Sequence, residues 1–200
     1  MNRVQKIVIA TRNKGKIKEM QAMLDDLGVE IISSEEISGL PEIQETGETF
    51  LENAIKKAVE TAKYSGLMAI ADDSGLEVDA LGGRPGVYSS RYAGEQASDR
   101  DNYLKLLKEM ENIPEQERTA RFRAVIVAAK PDGTFIYAEG SCPGRIALEP
   151  QGTEGFGYDP VFYLPEREKT MAEISKEDKN RISHRGKAMI KLKEKLKEFM

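Results

Sequence analysis

The N-terminal segment reads VQKIVIATRNKGKIKEMQAMLDDLGVEII from residue 4 to residue 32 and holds two strand patterns separated by a helix pattern. Val4 to Ala10 is predicted as a buried strand, because its centre is β-branched throughout. Apolar residues then recur at helical spacing, and Gly28 is the predicted helix stop. Val29 to Ile32 is predicted as a second strand. This alternation of strand and helix is typical of an α/β protein.

The rest of the chain continues this pattern and adds a hairpin. Thr49 and Glu52 form a capping-box pattern that begins a second helix with an alanine-rich face. A third helix, capped by Ser98, is predicted to turn Leu104, Leu107 and Met110 inward. The remaining predictions are strands at residues 67–71, 121–129, 134–139, 144–148 and 160–163, a short helix capped by Ser175, and an amphipathic helix closing the chain through Phe199. We therefore expect an α/β fold with a mixed sheet.

Composition limits the functional classes. The chain has 200 residues, which suits one domain or two closely joined lobes, and its net charge of -4 argues against non-specific binding to nucleic acids or acidic membranes. Cys142 is the single cysteine, so an internal disulfide is excluded and a reducing, cytoplasmic location is expected. The first ten residues are too polar for a signal peptide, and no apolar run approaches membrane-spanning length.

A basic turn joins the first strand to the first helix. It reads Thr11-Arg12-Asn13-Lys14-Gly15-Lys16. A helix start already carries partial positive charge, so three added cations are unfavourable there unless an anion binds. The turn therefore predicts a site for a polyphosphate, with an exposed basic turn as the alternative. It lacks the glycine and lysine spacing of a P-loop.

Two adjacent carboxylates, Asp72 and Asp73, follow the apolar residues 67–70 near the predicted carboxyl end of a strand. Paired aspartates repel each other, so a cation is expected beside them. Mg²⁺ takes one or two protein carboxylates and fills its other positions with water and phosphate, and a second carboxylate can deprotonate a water. The alternative is a simple Asp-Asp-Ser-Gly turn.

Acidic residues also surround the start of the second helix, where they stabilise its N-terminus in any case. One of them could complete a magnesium site with the aspartates; the candidates are Glu42, Glu45, Glu48 and Glu52. Lys56 and Lys57 follow on this helix. Both are predicted to be solvated, with a phosphate-facing Lys57 as the alternative.

Two further clusters point to a base. Phe156 and Tyr158 lie among glycines before Pro160, and they are either rings that stack on a base or anchors of the core. Near the C-terminus, Lys179, Ser183, His184 and Arg185 form a polar cluster. His184, the single histidine, is predicted to be exposed and to donate with Arg185 to a purine keto oxygen.

In this order, the motifs resemble the inosine triphosphate pyrophosphatase family over nearly the whole chain. The blocks that carry the resemblance are Thr11 to Lys16, Glu45-Thr46-Gly47 with Glu52-Asn53-Ala54, Ala71 to Leu76, Leu81-Gly82-Gly83 with Pro85-Gly86, Phe156 to Pro160, and Ser183-His184-Arg185.

The resemblance implies a single domain over residues 1–200, built on a long central mixed β-sheet with flanking helices and two lobes around an active-site cleft, and a homodimer. It implies Mg²⁺-dependent cleavage of ITP, dITP or XTP between the α and β phosphates, which yields the monophosphate and pyrophosphate.

It also assigns roles by matched motif. Asp73 is the expected proton acceptor and magnesium ligand, with Glu45 as second ligand and Glu42 as the alternative. Arg12 stands where a small residue is expected, so contacts in that turn differ from the family pattern. By matched motif, Thr11, Asn13 and Lys16 are expected to hold the phosphates, with Ser74 at the substrate and Phe156, Gly157, Tyr158, Asp159, Lys179, His184 and Arg185 around the base. The charge and the glycine of the basic turn add Arg12, Lys14 and Gly15 to the expected substrate-binding residues.

The sequence leaves two rival functions open. One is a pyrophosphatase of other modified nucleotides, and the other is a nucleotide-sensing module without catalysis. A nucleic-acid binder is disfavoured by the acidic balance and the absence of a basic stripe.

Overall fold

The computed structural model describes residues 5 to 200, in which strands and helices alternate along the first part of the chain. Val4, the predicted start of the first strand, lies outside the described residues. The strands are β1 (Lys6–Ile9), β2 (Glu30–Ser33), β3 (Met68–Val78), β4 (Thr119–Ala129), β5 (Phe135–Ile146), β6 (Phe162–Leu164) and β7 (Lys169–Thr170); the helices are α1 (Lys14–Leu24), α2 (Phe50–Ser65), α3 (Asp99–Glu109), α4 (Lys176–Ile182) and α5 (His184–Phe199).

The strands form one mixed sheet in the order β2-β1-β3-β4-β5-β6-β7. β1 runs parallel to both β2 and β3, whereas β6 is antiparallel to β5 and to β7. The predicted α/β class with a mixed sheet and flanking helices is therefore confirmed.

Helix boundaries follow the predicted capping residues. Thr49 caps α2 through a reciprocal capping box with Glu52, and Gly66 ends this helix in the left-handed conformation. Ser98 and Ser175 cap α3 and α4. The predicted inward face of α3 is partly wrong, because Leu104 is 44% exposed whereas Leu106 is buried.

The third strand is longer than predicted, and Asp72 and Asp73 lie inside it. β1 pairs with β3 only as far as Ile70, so both aspartates lie just beyond the carboxyl end of β1. β3 continues to Val78 because its later polar residues pair across the sheet: Glu77 contacts Arg121 and Arg123 of β4. The predicted short strand at residues 144–148 is likewise not separate, since residues up to Ile146 belong to β5.

The chain divides into two compact units. The first unit comprises the described residues up to Asp73, Ala124–Gly140 and Arg185–Met200. Its core joins β1, β3 and β4 to α1 and α5 through residues such as Ile9, Leu24 and Leu192. The second unit comprises Ser74–Arg123 and Ser141–His184, and its core includes Leu106, Phe122 and Phe162. The arrangement of two lobes about a cleft stays a prediction.

Two lysines on consecutive turns of α5 hold the backbone of β5. Lys195 Nζ donates to the carbonyl of Tyr137 at 2.7 Å, and Lys191 Nζ donates to the carbonyl of Glu139 at 3.0 Å. β5 pairs with β6 only at Arg145 and Ile146, so this part of β5 lies outside that ladder. None of the helices in residues 5–200 is both long and apolar enough to cross a membrane.

Candidate active site

Asp72 is the centre of a buried ion network in the first unit. Its side chain is fully buried, with Oδ1 lying 2.6 Å from Lys16 Nζ and Oδ2 accepting a hydrogen bond from Arg185 Nε at 3.1 Å. Arg185, itself 1% exposed, also contacts Glu19 of α1, with Nη1 2.5 Å from Oε2. Lys16, Asp72, Arg185 and Glu19 therefore form a chain of alternating charges that ties β3 to α1 and α5.

This network keeps Asp72 ionised. Burial opposes the charged form most strongly, but the charges of Arg185 and Lys16 together outweigh it and hold the pKa of Asp72 below its usual value. A carboxylate held in this way is a poor proton acceptor. Its geometry suits it instead to fixing the two cations around it.

Asp73 has a different environment. Its Oδ1 lies 3.4 Å from Lys57 Nζ, and the same ammonium contacts Glu45 Oε1 at 2.5 Å and the carbonyl of Asp72 at 2.8 Å. The prediction that Lys57 is solvated is wrong: it is 8% exposed and joins the two carboxylates expected to bind metal. The structure therefore brings Asp73, Lys57 and Glu45 into one cluster.

Burial raises the pKa of Asp73 above its usual value, and Glu45 and Asp72 add to this rise, while Lys57 and Lys16 only partly offset it. For Lys57, burial acts to lower the pKa, but the neighbouring carboxylates reverse this and the pKa is raised, so the residue stays charged. Adjacent aspartates are thus shifted in opposite directions. This is the separation expected of a structural carboxylate beside a general base.

The donor set fits a divalent cation. Asp73 Oδ2 is buried and has no hydrogen-bond partner in the described part of the chain. A buried carboxylate oxygen without a hydrogen-bond partner is expected to bind a group from outside the chain, such as a cation. Glu45, which contacts the same Lys57 ammonium as Asp73, supplies a second carboxylate. No cluster of three or more His, Cys, Asp or Glu suited to a metal occurs between residues 5 and 200. Mg²⁺, which usually takes one or two protein carboxylates, does not require one.

The basic turn is built as a helix start. Asn13 is the N-cap of α1, with its Oδ1 accepting from the Lys16 amide at 3.1 Å, and Thr11 Oγ1 accepts from the Asn13 amide at 3.2 Å. The first turn of α1 contains no acidic residue. Arg12 is exposed and pairs weakly with Glu42 at 3.7 Å, which places Glu42 at the surface. Lys14 is exposed and Gly15 half-buried beside it.

A second polar cluster lies in the other unit, around Asp159. Lys179 Nζ lies 2.6 Å from Asp159 Oδ2, and both side chains are buried. The same oxygen accepts from the Phe156 amide at 2.8 Å, and Lys179 lies over the Phe156 ring at 4.5 Å from its centroid. Gly155 has φ of 77°, and a Cβ there would come within 2.0 Å of Asp159 Oδ2, so the close approach requires glycine.

The two aromatics of this loop have different environments. Tyr158 is buried in the core of the second unit, and its hydroxyl donates to the carbonyl of Ser89 at 2.7 Å, so the core-anchor interpretation describes it. Burial raises the pKa of this hydroxyl. Phe156 is half-buried beside Lys179. The amide of Gly157 donates to Asp99 Oδ2 at 2.8 Å, which fastens the loop to the start of α3.

The predicted C-terminal cluster is divided by the fold. Ser183 and His184 belong to the second unit, where His184 stacks on Phe122 with ring centroids 4.7 Å apart. The prediction that His184 is exposed is wrong, since it is 5% exposed. Arg185 belongs to the first unit, in the network of Asp72. Ser74, the residue after the catalytic candidate, is half-buried in β3.

Sequence reasoning missed three residues of these clusters. Lys57 shares a helix face with Ala54, Ala58 and Thr61, all buried, and a lysine at that spacing signals a buried ion pair. Glu19 and Asp99 carry no such signal, because their partners Arg185 and Gly157 are distant in sequence.

Comparison with known proteins supports the resemblance. The model of the Ham1 family matches residues 7–195. A dITP/XTP pyrophosphatase from Desulforamulus reducens is 54% identical over 189 residues, which covers 94% of each chain. The solved structure of a HAM1 protein from Coxiella burnetii is 45% identical, has a TM-score of 0.88, and is matched over 98% of this chain and 100% of its own. The Ham1 protein from Staphylococcus aureus is 44% identical with a TM-score of 0.86, over 98% and 100% of the two chains.

Proposed function

Because this chain belongs to the Ham1 family, we propose that it hydrolyses non-standard purine nucleoside triphosphates, namely dITP, ITP and XTP, to the monophosphate and pyrophosphate. This activity removes such nucleotides from the cellular pool. The roles of the individual site residues are part of the same proposal.

The single observation that supports catalysis most strongly is the state of Asp73. Its pKa is raised by burial, and its Oδ2 has no hydrogen-bond partner in residues 5–200. A module that only bound nucleotide would gain nothing from a desolvated carboxylate beside a second one, because both repel phosphate. Asp73 is therefore assigned as the general base that accepts a proton from the attacking water.

Asp73 and Glu45 would hold Mg²⁺, which when bound neutralises phosphate charge and makes water more acidic. Glu45 is favoured over Glu42, since Glu45 shares Lys57 with Asp73 whereas Glu42 pairs at the surface with Arg12. The Lys57 ammonium contacts the carboxylates of Glu45 and Asp73, so it orients both groups and offsets the repulsion between their negative charges.

The start of α1 is assigned to the phosphates. Backbone amides at the helix start and the ammonium of Lys16 offset the charge of the leaving pyrophosphate. Asp72 fixes Lys16 at 2.6 Å, so this cation is positioned before the substrate arrives. Thr11 and Asn13 shape the turn, and the exposed residues Arg12 and Lys14 add positive charge near it.

The base is assigned to the cluster around Asp159 in the second unit. Hypoxanthine and xanthine present an acceptor at position six, where adenine presents an amino donor. A donor such as Lys179, held by Asp159, pairs with the first and leaves the second mismatched, at a cost of about 1–3 kcal/mol for each buried polar group. Phe156 offers a ring face to the base, and His184 offers a further donor. Arg185 is also expected from the resemblance to contact the base. Its Nε and Nη1 contact Asp72 and Glu19, which does not support that role, so the role stays a prediction.

The remaining parts of the proposal follow from the resemblance and from composition. The protein is proposed to act as a homodimer in the cytoplasm, with no nucleic-acid partner. The acidic balance of the chain and its single, buried cysteine are consistent with this setting.

A substrate panel tests the function. Purified protein is incubated with dITP, ITP, XTP, GTP or ATP and Mg²⁺, and pyrophosphate is measured. The expected result is rapid release from the first three and slow release from GTP and ATP. Release from other modified nucleotides only would favour the rival pyrophosphatase, and tight binding without release would favour the sensing module.

A further inference from the structure

Glu19 is a half-buried acid to which the family resemblance assigns no role. It lies on α1 one turn after Lys16, which places both side chains on the same side of the helix. Its side chain is 14% exposed, and its Oε2 lies 2.5 Å from Nη1 of Arg185. Glu19 joins the network of Asp72 through Arg185, whereas Lys16 contacts Asp72 directly.

The network shares one carboxylate between two cations. Asp72 gives Oδ2 to Arg185 and Oδ1 to Lys16. A guanidinium facing a single carboxylate usually takes both oxygens in a bidentate pair. Here one arm of the fork is directed at Glu19, and Asp72 Oδ1 is left for Lys16.

Neutralising Glu19 would change this distribution. Of the four residues, Asp72 would then be the single anion facing two cations, in a site where Arg185 is 1% exposed and Asp72 is fully buried. Arg185 cannot leave this site, whereas Lys16, whose side chain is 15% exposed, can turn towards solvent. We therefore expect that Lys16, and not Arg185, loses its contact with Asp72.

We propose that Glu19 is a positioning residue for substrate phosphates: by holding Arg185, it reserves Asp72 Oδ1 for Lys16 and so fixes the Lys16 ammonium at the start of α1. An ammonium has three N–H donors, so a Lys16 anchored on Asp72 still has donors for an anion. The inference rests on the proposed function, because it takes the anion at this helix start to be the pyrophosphate part of the substrate.

The test is a double-mutant cycle read out by binding of inorganic pyrophosphate. Calorimetric titration at one fixed Mg²⁺ concentration compares the parent, Glu19→Gln, Lys16→Met and the double variant. Glu19→Gln is expected to weaken pyrophosphate binding about tenfold. In the Lys16→Met background the same change is expected to have no further effect, since Glu19 acts through Lys16.

Two further variants make the result decisive. Glu30→Gln is the matched control, because Glu30 forms an exposed ion pair with Lys6 at 3.1 Å in the same unit. The Glu30→Gln variant should bind pyrophosphate with the affinity of the parent. Glu19→Asp keeps the charge and serves if Glu19→Gln does not fold. Its shorter side chain is expected to weaken binding about threefold.

The outcomes separate this inference from the function itself. If both Glu19 variants bind pyrophosphate like the parent and either has a lower melting temperature, Glu19 only stabilises the fold through its ion pair, and the inference is wrong. An equal loss in the Lys16→Met background, or a parent that does not bind pyrophosphate, would also overturn the inference. A parent that binds pyrophosphate with the expected cycle but cleaves none of the nucleotides would remove the proposed function and leave the role of Glu19 standing.

Discussion

Adjacent carboxylates in β3 are expected to have separable roles, and the pair Asp72→Asn and Asp73→Asn tests this directly. Asp72 is fully buried and compensates two cations, Lys16 at 2.6 Å and Arg185 at 3.1 Å. Removing one partner of a buried ion pair costs about 3–5 kcal/mol. Because Lys16 can turn to solvent and Arg185 keeps Glu19, we expect the lower end, about 3 kcal/mol.

The size of the effect makes it measurable by thermal denaturation. In a chain of 200 residues, about 3 kcal/mol corresponds to a fall in Tm of roughly 6–12 °C. Asp73→Asn should behave differently, because folding already disfavours the charged form of Asp73 and the variant removes that charge. Its Tm without metal should stay close to that of the parent, while ITP turnover should fall about a hundredfold or more.

The control is Asp79→Asn, which removes a carboxylate 46% exposed that pairs with Arg121 at the surface. Its Tm and turnover should match those of the parent. An Asp72→Asn variant that melts at the parent temperature would contradict the ion network, and an Asp73→Asn variant that keeps full turnover at saturating Mg²⁺ would contradict the role of Asp73 as general base. Equal thermal losses in both aspartate variants would show that the two environments do not differ as described.

Three further predictions concern the same clusters. Lys57→Met should lower Tm and move the acidic limb of the turnover–pH profile to higher pH, because Lys57 lowers the pKa of Asp73. Lys56→Met should change neither, because Lys56 is half-buried and donates to Thr46 outside the carboxylate cluster. Acidification should destabilise the parent below about pH 4, because the pKa of Asp72 in the folded protein lies below its usual 3.8. The stabilisation that is present above pH 3.8 is lost as the pH falls through the lowered pKa. The fall in Tm with pH should be shallower in Asp72→Asn, and parallel curves of Tm against pH for the parent and the variant would contradict the ion network. Asp99→Ala should free the Gly157 amide and raise KM for ITP about fivefold without weakening pyrophosphate binding. The control Glu95→Ala should leave KM unchanged. An unchanged KM in Asp99→Ala would show that the loop is held by other contacts.

Local patterns of the sequence were sufficient for the element types. The β-branched centre of β1 and the Thr49–Glu52 capping box act through neighbours in sequence, so β1 and α2 begin within two residues of their predicted positions. The extent of β3 was not predictable in this way. Its Asp-Asp-Ser-Gly segment has the composition of a turn, and it stays extended because Glu77 finds partners on β4 more than forty residues later.

The candidate site shows the same limit. The family resemblance assigned Asp73 and Glu45 to the metal and Lys16 to the phosphates, and the structure places the three residues in the same unit. Which aspartate is held by cations and which is desolvated depends on Arg185 and Lys57. Arg185 is more than a hundred residues from Asp72, and the burial of Lys57 is a consequence of packing. No local rule contains that information.

The lysines of α5 have a consequence for the handling of the protein. Tyr137 and Glu139 are two residues apart on β5, so their carbonyls point to the same side of the strand, and an uncovered row of carbonyls and amides is a template for strand addition by another molecule. Lys191 and Lys195 occupy those acceptors. Acetylation or amine-directed immobilisation would remove the charge of both ammonium groups and leave each nitrogen a single amide N–H on a bulkier group, which weakens its hold on the carbonyl. Lysine-reactive chemistry is therefore expected to uncover the strand and to promote intermolecular β-pairing of an otherwise folded protein.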